Sequence, residues 1–207
     1  MELESDVYPG RLKVLRPVLE QWIALNLDRS GWGRDAPWWY NERASLSQLA
    51  GAIWSIDSGW AMEEYSAAKD GGASSHGRVD LALQVGRFTA IAEAKILWPG
   101  RVSANRYGDK LSSTMKTAHS RVRDYRTDGW QCRRLGIVFV NPRLPPSVAD
   151  AVDSHVEAII KVARSYAESS RWAVAWAFPK GARQLKSKAN GRIYPGTIVC
   201  IAEAAGA

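Results

Sequence analysis

Cysteine is nearly absent from the chain: Cys132 and Cys200 are the only two in 207 residues. Two cysteines define neither a disulfide framework nor a four-ligand zinc site, and they fit a reducing compartment. Long hydrophobic runs are missing too, since none approaches the ~18 apolar residues of a membrane-spanning helix. The first stretch, Met1-Glu2-Leu3-Glu4-Ser5-Asp6, is acidic and lacks the basic-then-apolar order of a signal peptide. The expectation is a cytoplasmic protein with no membrane partner. Internal repeats, low-complexity tracts and linkers are also lacking, so residues 1–207 read as one domain, long enough for a sizeable core. Histidine is scarce: His76 reads as a solvated loop residue, His155 as an ordinary helix residue and His119 as part of a basic stripe.

Basic residues are plentiful. Lys and Arg number 28 against 21 Asp and Glu, giving a formal charge of +7. That balance favours a polyanionic partner, nucleic acid first. Ten tryptophans is a high count. Most should be packing residues, with base stacking the role of one or two.

The stretch from Arg78 to Leu97 holds two apolar, strand-like runs around Gly86-Arg87, a pair suited to a two-residue type II′ turn. With that turn, facing residue numbers sum to 173, so Val85 faces Phe88, Leu83 faces Ala90 and Asp80 faces Glu93. Like charges directly opposed on one sheet face destabilise it. A divalent cation between them reverses the sign, and hard carboxylate oxygens suit Mg2+ or Mn2+. Lys95 shares the face of Glu93, whereas Ala92 and Ala94 point the other way. Two acids and a lysine thus converge on one spot.

Asp80, a twelve-residue spacer and then Glu93-Ala94-Lys95 resemble the PD-(D/E)xK nuclease superfamily, the restriction-endonuclease-like fold. The likeness covers the hairpin closely and residues 40–140 more loosely. Val79 stands where the family pattern has proline, and Arg121 stands where RecB-like members carry the glutamine four residues before Tyr125. The resemblance implies an α/β fold with a central mixed β-sheet flanked by helices. The expected order is α-β-β-β-α-β with a C-terminal α-β-β extension. It divides the chain into an N-terminal helix and loop (1–39), a catalytic core (40–140) and a C-terminal helix and strands (141–207). It also implies metal-dependent hydrolysis of a phosphodiester, most directly as a DNA endonuclease. Asp80, Glu93 and the Ala94 carbonyl would hold Mg2+ or Mn2+, and Lys95 would balance developing charge. Many family members act as homodimers.

The rest of the chain fits around the hairpin. Helices are expected at 10–27, at about 41–55, at 108–126 and from 145 to about 166; strands are expected at 60–68, 135–140, 171–178 and 197–202. A loop is expected at 30–37, and a Ser-rich one before the hairpin. On the second helix, Leu46, Leu49, Ala50, Ile53 and Trp54 form the apolar stripe, and Glu42 extends it backwards. The resemblance makes Glu42 a further metal-site acid; the plainer reading is a first-turn acid on the helix dipole, capped by Asn41. A capping box of Ser45 and Gln48 would start the helix later. Glu63 and Glu64, on opposite faces of the following strand, are rivals for that acid. On the third helix a basic stripe of Lys116, His119, Arg123 and Arg126 lies beside the apolar one, where a nucleic-acid backbone could rest. Pro179 to Gly196 is polar and basic, with Lys186 and Lys188 either following a phosphate backbone or solubilising a loop. The rival class is a non-catalytic nucleic-acid-binding or interaction protein that keeps the fold.

Overall fold

A computed structural model describes residues 3–28, 35–69, 76–100, 104–127, 129–183 and 185–204. Within these residues seven strands form one mixed sheet: β1 (Ser5–Tyr8), β2 (Gly59–Ala68), β3 (His76–Val85), β4 (Phe88–Leu97), β5 (Arg133–Val140), β6 (Ala173–Ala177) and β7 (Thr197–Glu203). Their spatial order is β1-β6-β7-β5-β4-β3-β2. Among the described residues four α-helices accompany them: α1 (Arg16–Leu27), α2 (Glu42–Trp54), α3 (Ala104–Arg123) and α4 (Val152–Ser170). Among the described residues only β4 and β5 pair in parallel, joined by the α3 crossover; every other neighbouring pair is antiparallel. The chain is therefore an α/β protein with a seven-stranded mixed sheet. Among the described residues no helix is long and apolar enough to cross a membrane.

Both faces of the sheet are covered. On one, Leu19 and Trp22 of α1 and Leu49 and Ile53 of α2 pack on Leu81, Ala92 and Ile137. On the other, Leu111 and Met115 of α3 and Ile160 of α4 pack on Val138, Val174 and Trp176. Continuous apolar runs such as Leu135–Val140, all buried, are the mark of strands covered twice. The same cover corrects the reading of 171–178 as a strand packing one face. Ala173, Ala175 and Ala177 face the α1 side while Val174 and Trp176 face the α4 side, and all five are buried. The small residues let α1 sit close.

Boundaries differ where backbone chemistry decides them. The first helix starts at Arg16 rather than residue 10, with Pro17 in its first turn and a 3-10 turn, Lys13–Leu15, ahead of it. Proline has no N–H to give and suits that position. The third helix ends at Arg123, leaving Tyr125 beyond it. The fourth opens with a 3-10 stretch, Pro146–Ala151, before α4. Trp54 leaves the apolar stripe: it is 57% exposed and meets Trp60 edge-on across 6.4 Å. His76, expected in a loop, begins β3 opposite Ala68. Most of the loops expected at 30–37 and before the hairpin lies outside the described residues.

The central hairpin forms as its turn residues dictate. Gly86 takes φ +58°, and Arg87 does not share the positive φ, as a type II′ turn requires. The ladder runs from Val85 opposite Phe88 to Leu81 opposite Ala92, each pair summing to 173.

Candidate active site

The β3–β4 ladder stops one step before the acids. Leu81 opposite Ala92 is its last pair, while β3 stays bonded to β2 and β4 to β5. The two middle strands therefore part at Asp80 and Glu93, which corrects their expected direct pairing. An opened ladder leaves main-chain donors without partners, and buried ones must find another. Asp80 supplies it: its carboxylate accepts the Ala94 N–H at 2.8 Å. The second strand neighbour is distorted at the same level, since Glu64, across from Asp80, takes φ +56°.

Lys95 sits at the centre of the opening. Its Nζ lies 3.5 Å from Glu93 Oε2, 3.6 Å from Asp80 Oδ2 and 3.6 Å from Glu42 Oε1. It also donates to the Ala94 carbonyl. The three carboxylates come from β3, β4 and the first turn of α2. Asn41 caps α2, its side chain accepting the Ala44 N–H at 3.1 Å. The helix thus begins where Glu42 faces Lys95, and the capping box at Ser45 does not form, since Ser45 is buried inside it. Glu63 and Glu64 do not join the cluster at Lys95. Positive φ at Glu64 breaks the strand alternation, so both meet side chains of α2: Glu63 accepts from Ser47 at 3.0 Å, and Glu64 pairs with Arg43 at 2.7 Å.

The electrostatics are those of crowded, half-dry acids. Glu93 is 3% exposed, and its carboxyl is pushed up to about 6, by burial first and by the charge of Asp80 second. Burial also raises Glu42, against the pull of Lys95. Carboxylates in this state gain from added positive charge. Among the described residues no three His, Cys, Asp or Glu side chains converge tightly enough to enclose a metal. The donor set at the opening is instead two carboxylates and one main-chain carbonyl. Mg2+ is commonly held by one or two carboxylates with water and substrate phosphate completing its shell, and the set fits that pattern.

Tyr125 belongs to the site, although it reads in the sequence as the last apolar residue of a helix. Its hydroxyl donates to the Arg78 carbonyl at 2.6 Å and lies against the Glu93 carboxylate. A buried phenol needs a polar partner, and that need is the signal its helical spacing hides. A second unread element is the buried Asn141, whose side chain bonds the Trp38 carbonyl (3.1 Å), Ser45 (3.2 Å) and Thr197 (2.7 Å). This network ties the end of β5 to α2 and so fixes the helix that carries Glu42.

The expected nucleic-acid contacts divide. Lys116, Arg123 and Arg126 are exposed along α3 and just past it, and Arg126 neighbours Tyr125. Lys186 and Lys188 are exposed as well. His119 leaves the set: it is half-buried, its ring nitrogen lies 3.2 Å from the Ala202 carbonyl, and burial lowers its pKa. Gly136 makes this approach feasible, because a Cβ there would fall 2.5 Å from His119 Cδ2.

Glu42 also borders a cavity of about 490 Å3 lined by Trp39, Tyr40, Trp98, Arg143 and Tyr194. An adjoining cavity of about 770 Å3 shares Trp39, Tyr40, Asn190 and Tyr194 and adds Lys186 and Lys188.

Compared with family models, with curated proteins and with solved structures, the chain matches none.

Proposed function

We propose that the chain is a metal-dependent nuclease of the PD-(D/E)xK, restriction-endonuclease-like type, hydrolysing phosphodiester bonds in nucleic acid, most directly as a DNA endonuclease. The observation that carries this reading is the convergence of Glu42, Asp80 and Glu93 within 3.6 Å of one lysine ammonium at an opened strand pair. Such crowding is costly for folding and useful for phosphate chemistry.

The chain's own groups have distinct tasks. Asp80 is held rigidly by the Ala94 N–H. Glu93 carries a proton more readily than an ordinary carboxyl, and it releases it when positive charge arrives. Asp80, Glu93 and the Ala94 carbonyl would hold Mg2+ or Mn2+, which would supply Lewis-acid charge and acidified water, together worth several kcal/mol. Lys95 presents its ammonium to the phosphate oxygen where charge develops. Glu42 orients water from the α2 side. The exposed Lys116, Arg123 and Arg126 hold the backbone by charge.

Purified protein with Mg2+ or Mn2+ should cut plasmid or single-stranded DNA, and Lys95→Ala should abolish cutting while leaving the circular dichroism spectrum unchanged. Undiminished cutting by Lys95→Ala ends the assignment. One observation favours a second reading, a non-catalytic nucleic-acid-binding protein: Lys95 by itself reaches all three carboxylates, so the cluster holds together without a cation. Salt-sensitive DNA binding unaffected by Asp80→Ala, with no cleavage, would support it.

A further inference from the structure

The two cavities beside Glu42 share an aromatic wall. Tyr194 stands 6.0 Å from Trp39 at 36° and 5.9 Å from Trp98 at 86°. Tyr40 lies at the rim, 53% exposed. Trp39 Nε1 and Arg143 Nε are buried N–H donors with no hydrogen-bond partner among the described residues. Buried donors are rarely left unpaired, because the lost water is not repaid. Both residues also line the smaller cavity. Lys186, Lys188 and Arg143 add positive charge along the same path. The volumes, about 490 and 770 Å3, fall within the roughly 300–1,000 Å3 usual for small-molecule sites.

From these features we infer that the cavity receives an unpaired nucleobase next to the phosphate being cut. The inference deepens the nuclease reading above, since Glu42 faces both the cavity and Lys95. A flat π-face suits the aromatic wall, the carbonyl or ring-nitrogen acceptors of a base suit the positive charge of Arg143 beside it, and the lysines suit the flanking phosphates. A base inside a duplex is stacked and cannot enter; only a single strand, a flap or a locally opened duplex can deliver one. The substrate class is therefore nucleic acid with an unpaired nucleotide at the cleavage point, and Glu42 links occupancy of the cavity to the carboxylate cluster.

The test needs no chemistry. In EDTA, fluorescence anisotropy is read for the full chain with labelled dT10, with dT10 carrying one abasic residue at each successive position, and with a 20-bp duplex. The expected result is that dT10 binds more tightly than the duplex and that one abasic position costs roughly tenfold, the order of one stacked base. Tyr40→Ala and Trp39→Phe, confirmed folded by circular dichroism, should each weaken dT10 binding and shrink the abasic penalty. No abasic penalty at any position, or a penalty unchanged in both variants, overturns the inference. Cutting with Mg2+ but without an abasic penalty sinks the base cavity alone. An abasic penalty with no cutting under any divalent metal sinks the nuclease reading alone.

Discussion

Replacing Glu93 with glutamine keeps the shape of the side chain and removes its charge. The folded chain raises this carboxyl from 4.5 to about 6 while leaving it 3% exposed. A carboxyl that binds its proton more tightly when folded gives stability that is complete below its unfolded pKa and is lost as pH rises through the folded one. The loss here falls between about pH 4.5 and just above 6. At about 1.4 kcal/mol per pH unit the ceiling is roughly 2 kcal/mol; solvent at the mouth of the opening screens part, leaving about 1–2. For a chain of this size that is roughly 2–8 °C in melting temperature. His119 acts in the opposite sense. Its lowered pKa gives stability at neutral pH that is lost as pH falls through that value, so the wild-type curve alone is ambiguous. The difference between wild type and Glu93→Gln isolates the carboxyl. Thermal melts in EDTA at pH 5 and pH 8 should show the variant near wild type at pH 5 and higher-melting at pH 8. Added Mg2+ should raise the wild-type melt at pH 8 more than that of the variant. A variant that melts below wild type at pH 8 refutes the reasoning that these acids are crowded.

Other consequences follow from named contacts. Asn141→Ala breaks three buried hydrogen bonds and should cost about 2–3 kcal/mol in urea denaturation, with a further drop in cutting because Glu42 loses its fixed helix. Gly136→Ala pushes a methyl into His119 and Met115 and should destabilise by roughly 1–3 kcal/mol in the same assay. Removing Lys116 or Arg123 should lower the salt dependence of DNA binding by about one counterion each. His119→Ala should leave that slope alone and lower the melting temperature instead. Tyr125→Phe removes the hydroxyl from Glu93 and the Arg78 carbonyl, so it should shift the pH profile of cutting upward while keeping the fold.

The hairpin was the most legible part of the sequence, because Gly86-Arg87 fixes the turn and period-two alternation fixes the register through Leu81 and Ala92. The parting of the strands was not legible. It depends on β2 and β5 holding their neighbours in diverging directions, and no local pattern in 78–97 encodes that. The inward face of Glu42 was legible from its cap and spacing, whereas the turning of Glu63 and Glu64 toward α2 depends on a backbone φ that the letters do not carry. His119 sits at basic-stripe spacing yet packs inward, because Gly136 leaves a hole on the facing strand. Strand β1 went unread: four residues, two of them Ser5 and Asp6, are too short and polar to signal an edge strand paired with β6. The aromatic cavity joins Trp39 to Tyr194 across most of the chain, beyond the reach of any sequence window.

Central to the account is a cation between Asp80 and Glu93. Crystals soaked in Mn2+ and measured at the manganese absorption edge should show an anomalous peak between these carboxylates, beside the Ala94 carbonyl, with the Lys95 ammonium displaced from it. No peak there at saturating Mn2+, with Lys95 still seated among the three acids, would contradict it.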